Sequence, residues 1–524
     1  MSTQFDILYH VLEAKLEQNA LAIAGWGILS AILLGTLFIW SFAVDARMPK
    51  LPIAMQEEIP NRKKRIDLFI KDTRRLLIES YNKVYIELCP RGPLGRREKM
   101  RFDLKTSSFK TKYLESQRPK FSMKKYTKVG NLNENQISIV NKKLNPTLQL
   151  IRKHWPLNDY KSPTVTKPWP LVMRLVSRIS ARIFHSAEAA ENDHWLDIAS
   201  EHVHSAVVWT ENLKKWPAML RPLVYRFVKG RGIMMHRFGE GKALVAQTLE
   251  RRKANGGKPL SNPQALLDYL AESELGPDDI ETHTIAQINL CVAAIQSMAA
   301  TVTQCLMDLA THPEYAPELR EEIQTTIDRR NGVFDKQALT DMIKLDSFIK
   351  ETQRLNPPDL TSFQRKAMSD LTLSNGLRIP KGARIVLPTG AINMDREFFE
   401  DPETFDGFRY YRQRIASEEA RNSHQMVAVG KKDLTWGYGR HACPGRYIAE
   451  VAMKLLVIEF LTRYDIRLPD NVKERPKNIE FEGLNRYICR PFENVHHRSS
   501  DSGACASCIV QQTIQLKRPG GMPH

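Results

Sequence analysis

The segment Trp436–Glu450, WGYGRHACPGRYIAE, constrains the fold more than any other stretch of the chain. Its cysteine, Cys443, sits between glycine-rich turns and directly before a run with helical spacing. Gly439 and Gly445 let the backbone turn sharply and approach a flat partner closely. Amide groups of the loop and of the following helix N-terminus are placed to hydrogen-bond a thiolate and lower its pKa. A lone cysteine is usually a small core residue, but one framed by several spaced glycines and aromatics points to chemistry.

Length and composition say what surrounds this loop. The chain has 524 residues, 42% of them hydrophobic and 26% charged, which suits one large domain plus an anchor and excludes a disordered chain. The net charge of +18 favours acidic partners or an anionic membrane face. Zinc-finger spacing, an RNP-like aromatic motif and a dense Arg stripe are all absent from the sequence, so a nucleic-acid partner is not expected. The seven cysteines are odd in number and scattered, which does not read as a disulfide framework. Cys505 and Cys508 form a C-x-x-C with no second pair and read as no metal site.

Leu21–Val44 is a run of 24 residues without a charge. As a helix it would be about 36 Å long, enough to cross a bilayer with some tilt. The preceding 20 residues carry Asp6, Glu13, Lys15 and Glu17, which does not suit a cleaved signal peptide. Arg47, Lys50, Arg62, Lys63, Lys64 and Arg65 follow it and place the large domain on the cytosolic side. The expected layout is therefore a lumenal N-terminus (1–20), a single transmembrane anchor (21–44), a basic, proline-stiffened linker (45–66), a large domain (67–498) and a disordered tail (499–524).

Within the domain, helical spacing is expected over 67–85, 169–184 and 187–229, with an exposed connection over 230–263. Residues 278–310 are apolar on most faces, as a buried central helix would be. Further helices are expected over 317–330, 340–354 and 445–464, the second stopped by Asn356-Pro357-Pro358. Residues 371–386 alternate around Asn375-Gly376, a hairpin signal. The fold class expected is mainly α with a minor β sheet.

The cysteine loop resembles the haem-binding loop of the cytochrome P-450 family, F-x-x-G-x-[RH]-x-C-x-G. Trp436, Gly439, His441, Cys443 and Gly445 fall on its positions, with Trp436 replacing the usual Phe. The resemblance implies the family's fold behind one N-terminal transmembrane helix, haem b as cofactor, and Cys443 as the axial ligand that donates electron density to the iron. It implies that His441 and Arg365 meet haem propionates. It also implies that Glu351 and Arg354, an E-x-x-R pair on one helix face, join Arg409 in a buried structural network rather than acting as catalysts. The expected partners are NADPH-cytochrome reductase, a flavoprotein in the same membrane, and a small apolar substrate. The wording of DPETFDGFRYYR and WGYGRHACPGR resembles fungal enzymes that oxidise terpenoids and terpenoid-derived alkaloids.

One departure bears on the chemistry. Where the family's central helix carries an acid and an alcohol that relay protons, this chain has Gln296 and Ser297. A Gln orients water but supplies no titrating proton, whereas a Ser hydroxyl both donates and accepts. Either Ser297 and an ordered water deliver the proton to a monooxygenase reaction, or the reaction is a redox-neutral isomerisation or dehydration that needs no reductase. A haem-binding membrane protein without turnover is a further alternative.

Overall fold

The computed structural model describes residues 146–155, 513–517 and, apart from a few short stretches, 164–486. The anchor over 21–44, the linker, the helix expected over 67–85, the C-x-x-C cysteines and most of the tail lie outside the described residues.

Ile280–Thr311 is the 32-residue axis of the larger of two compact units. Asp279 caps it by accepting the Thr282 N–H at 3.0 Å. Its C-terminal half is buried on every face from Met298 to Ala310. This follows from a sequence in which Thr, Gln and Asp are spaced among Ala, Leu, Met and Val, so no side of the helix suits water. Pro168–Phe184, Asp193–Lys214, Arg231–Ala254, Ile343–Leu355 and Arg446–Arg463 pack against it. Leu455, Leu456, Val457 and Phe460 of the last of these are fully buried.

Two expectations are corrected. Residues 230–263 are not a connection, because Arg231–Ala254 form a 24-residue helix. Its buried positions, Gly241, Val245, Leu249 and Arg252, make a stripe one residue wide at spacings of four and three, and the rest is basic and polar. Three glycines and so narrow a stripe hid the period. The tail is not disordered at Ile514–Lys517, which form the middle strand of a three-stranded antiparallel sheet between Thr164–Thr166 and Asp465–Arg467. Ile514 and Leu516 alternate with Gln515 and Lys517 and are fully buried, which is the period of a half-covered strand.

The described part of the smaller unit is Gln364–Val386. Here Leu371–Thr372 pair antiparallel with Arg378–Ile379, as the Asn375-Gly376 signal predicts. Gly376 takes a φ of 84°, which a side chain would resist.

Candidate functional site

Cys443 lies between a short 3-10 turn, Gly439–His441, and the helix Arg446–Arg463. Its N–H donates to the Trp436 carbonyl at 2.7 Å, closing the loop on itself. Gly437 and Gly439 make the tight path possible with φ values of 74° and 62°. Gly445 does not share that role, since its φ is −86° and it serves as the residue entering the helix. The expectation placed on Gly445 as a turn residue belongs instead to Gly437, where an added Cβ would approach the His441 carbonyl oxygen at 3.3 Å.

The sulfur is free and partly exposed. Burial pushes the thiol above its ordinary value, while the backbone N–H groups of Gly445 and Arg446 and the Arg446 guanidinium pull it down. Burial is the larger effect in the protein alone, while the two amides favour the thiolate as the sequence leads one to expect. These groups fit a bound cation: two amides are aimed at the sulfur, and a coordinating metal removes the proton outright. Cys291 and Cys305 offer no alternative. Burial pushes Cys291 up to about 12 and Cys305 higher still. Among the described residues no cluster of His, Cys, Asp and Glu forms a conventional metal site.

The central helix supplies a second observation that fits a flat, bulky group. Through its middle turns its surface is open at Asn289, Val292, Ala293 and Ser297, a stripe along one helical face. Gln296 beside it is half-buried. Ser297 Oγ donates to the Ala293 carbonyl at 2.9 Å, which leaves its lone pairs free to accept from solvent. His441 is exposed at the loop surface. Arg365 belongs to the smaller unit, where its Nη1 donates to the Gln364 carbonyl at 2.9 Å.

The structural trio is brought together. Arg354 donates to both oxygens of Glu351, at 2.9 and 2.7 Å, and Arg409 Nε donates to Glu351 Oε1 at 3.2 Å. Arg354 also donates to the carbonyls of Asn393 (2.8 Å), Pro402 (2.7 Å) and Thr404 (3.3 Å). Arg409 Nη1 reaches the Glu400 carbonyl at 2.6 Å. Glu351 is fully buried. The network therefore fixes the irregular segment that follows Ile392.

A second buried charge cluster was missed in the sequence. Asp346 accepts from Lys454 Nζ at 2.7 Å and from Arg414 Nη1 at 2.8 Å. Burial pushes its carboxyl up, but Lys454 and Arg414 outweigh that and hold it below its ordinary value. It also accepts the Met426 N–H at 2.8 Å. The available signal was Lys454 itself, a lone cation inside the apolar run AMKLLVIEF.

Comparison with known proteins places this geometry. A model of the family described as "Cytochrome P-450" matches residues 159–487, well over half of the chain. The chain is 33% identical to cytochrome P-450 monooxygenase AN1598 of Emericella nidulans over 62% of its own length and 60% of that protein's. It is 34% identical to monooxygenase braC of Annulohypoxylon truncatum (59% and 63% covered) and 33% to monooxygenase paxP of Penicillium paxilli (60% and 61%). The matches thus span less than two thirds of these relatives. Among solved structures, retinoic-acid-bound cyanobacterial CYP120A1 superposes with a TM-score of 0.53 at 15% identity, covering 73% of this chain and 76% of that one, a likeness of fold alone.

Proposed function

The chain belongs to the cytochrome P-450 family, and from that premise we propose that it is a haem-thiolate monooxygenase that inserts one atom of dioxygen into a large apolar substrate. The observation that carries this reading is Cys443 at the mouth of its helix, with the Gly445 and Arg446 amides directed at the sulfur. Haem b, when bound, would supply the oxygen chemistry, and Cys443 would hold its iron through the sulfur. Gly437 and Gly439 give the loop its tight turns, and the open stripe at Val292, Ala293 and Ser297 is the wall that a haem and substrate would cover. His441 and Arg365 are proposed to meet the propionates.

Ser297 is the proposed proton donor. Its hydrogen rests on the Ala293 carbonyl, so donation requires the hydroxyl to rotate outward while a water, oriented by Gln296, replaces that proton at Oγ. This differs from an acid–alcohol pair in that no carboxyl titrates.

Electrons are proposed to come from NADPH through a flavoprotein reductase. The chain's charge of +18 and the exposed Lys431 and Lys432 ahead of the loop support an acidic partner. The endoplasmic reticulum membrane is the proposed location, with 21–44 as the span and the domain in the cytosol. Residues 212–239 contain no acid, seven Lys or Arg, and the exposed Leu223 (69%), Phe227 (88%) and Ile233 (58%), a composition that supports membrane contact by the domain itself. We propose a terpenoid or terpenoid-derived alkaloid of fungal secondary metabolism as substrate, supported by the motif wording and the fungal source of the relatives.

The test is a reduced-CO difference spectrum of the purified protein, then of Cys443→Ala, which is expected to lose the band that marks thiolate ligation. Labelled dioxygen with NADPH, reductase and a terpenoid panel should then put label in product. A wild-type spectrum without the thiolate band overturns the reading. Products that form without NADPH or label assign a redox-neutral rearrangement instead.

A further inference from the structure

We propose that Trp436 is a positioning residue for Cys443, and that its indole N–H couples the cysteine loop to the buried Asp346–Lys454–Arg414 cluster. The inference rests on the haem-thiolate reading of Cys443. It concerns the one position of the cysteine-loop pattern where this chain departs from the family, where an aromatic without a hydrogen-bond donor is replaced by one that has it.

The connection runs through three hydrogen bonds. Cys443 N–H donates to the Trp436 carbonyl at 2.7 Å. Trp436 Nε1–H donates to the Met426 carbonyl at 2.7 Å. Met426 N–H donates to Asp346 Oδ2 at 2.8 Å. Asp346 cannot drift, because Lys454 and Arg414 hold its carboxylate from two other helices. Nor is Met426 free to follow the loop. It is almost fully buried, and the preceding Gln425 carbonyl accepts Lys350 Nζ at 2.8 Å. One end of the chain is thus anchored in the core, and the other ends at the backbone of the residue that bears the sulfur.

A Phe at 436 would keep the packing and the backbone bond but lose the indole N–H. The loop would then swing about Trp436's backbone, and the Cys443 sulfur would leave its amide donors more often. Cys443 would then hold the iron less firmly, because the two amides that favour its thiolate would be less well aimed. Loss of one neutral hydrogen bond changes such an equilibrium by about 2- to 10-fold.

The experiment compares wild type, Trp436→Phe and Trp209→Phe as haem-loaded full-length proteins. Trp209 is the control, since its Nε1–H likewise donates to a carbonyl, that of Tyr225, at 3.0 Å and far along the chain from the loop. The readout is the decay of the thiolate-type reduced-CO band relative to total haem, at a urea concentration below the unfolding transition. Trp436→Phe is expected to decay about 2- to 10-fold faster with an unfolding midpoint lowered no more than that of Trp209→Phe, and Trp209→Phe at the wild-type rate. Equal decay in wild type and Trp436→Phe, or equal acceleration in both variants, overturns the proposal. A wild type without any thiolate-type band instead removes the reading of Cys443 on which it stands.

Discussion

Replacing Glu351 by Gln keeps the side chain's size and shape but removes its charge, and the structure sets the scale of the effect. Glu351 accepts four hydrogen bonds, two from Arg354, one from Arg409 and one from the Asp406 N–H. The Arg354 side chain is 2% exposed and that of Arg409 10%, so neither guanidinium can turn to water once the carboxylate is gone. The new amide must also point its NH2 group at one of these donors. Breaking a buried pair in this way costs about 3–5 kcal/mol, against a total stability of about 5–15 kcal/mol for a folded domain. With a urea slope of about 1–3 kcal/mol per molar, the midpoint should fall by about 1 M or more. The assay is urea unfolding followed by tryptophan fluorescence, with haem retention followed in the same samples. Glu403→Gln, which removes an exposed pair to Arg396, serves as the matched control and should leave the midpoint in place. A Glu351→Gln midpoint as close to wild type as the control's would refute the claim that the trio acts as one buried unit.

Asp346→Asn leaves Arg414 buried without a counter-charge and Lys454 with Glu450 alone, and should also lose about 3–5 kcal/mol. Adding Lys454→Met should recover part of that loss, and urea midpoints of the single and double variants check it. His185 gives a pH dependence. It is fully buried against Trp195 with Thr248 at 3.1 Å, and burial pushes its pKa down to about 3. Below the ordinary histidine value near 6.5 the unfolded chain takes up a proton that the folded one excludes. Stability from this site should therefore fall by about 1.4 kcal/mol per pH unit as pH drops from 6 toward 4. His185→Gln should remove that slope relative to wild type, and parallel pH profiles of the two proteins would contradict it.

What the sequence revealed was whatever is written at short, fixed spacing. Cys443 and its glycines announce themselves within ten residues, and Glu351 and Arg354 are one helical turn apart. Arg409 came only through resemblance, since nothing local ties it to a residue 58 positions earlier. Asp346, Arg414 and Lys454 were illegible for the same reason. Each alone is an ordinary charged side chain, and only folding brings together positions separated by 68 and 40 residues. Ile514–Lys517 carries a period-two pattern too short to stand out, and its partner strands lie about 50 and 350 positions away. At Cys443 the sequence shows the amides that stabilise a thiolate but not the burial that opposes them, which depends on the packed fold.

The two buried clusters share one helix, and this explains why charges occupy sites where apolar side chains would pack at less desolvation cost. Ile343–Leu355 carries Asp346 and Lys350 toward Gln425 and Met426, Ser347 toward the Gly407 carbonyl at 2.8 Å, and Glu351 and Arg354 toward residues 393–409. The segment from Asn393 to Trp436 has only short helices, Arg409–Ala416 and Ala420–Ser423, and no strand among its described residues. Much of its backbone therefore lacks a ladder to set its register, and its buried carbonyls need donors from elsewhere. Hydrophobic contact is non-directional and would hold such a segment near the core without fixing where it lies. Directed bonds from one rigid helix do both, satisfying the carbonyls and setting the path by which the chain arrives at Cys443.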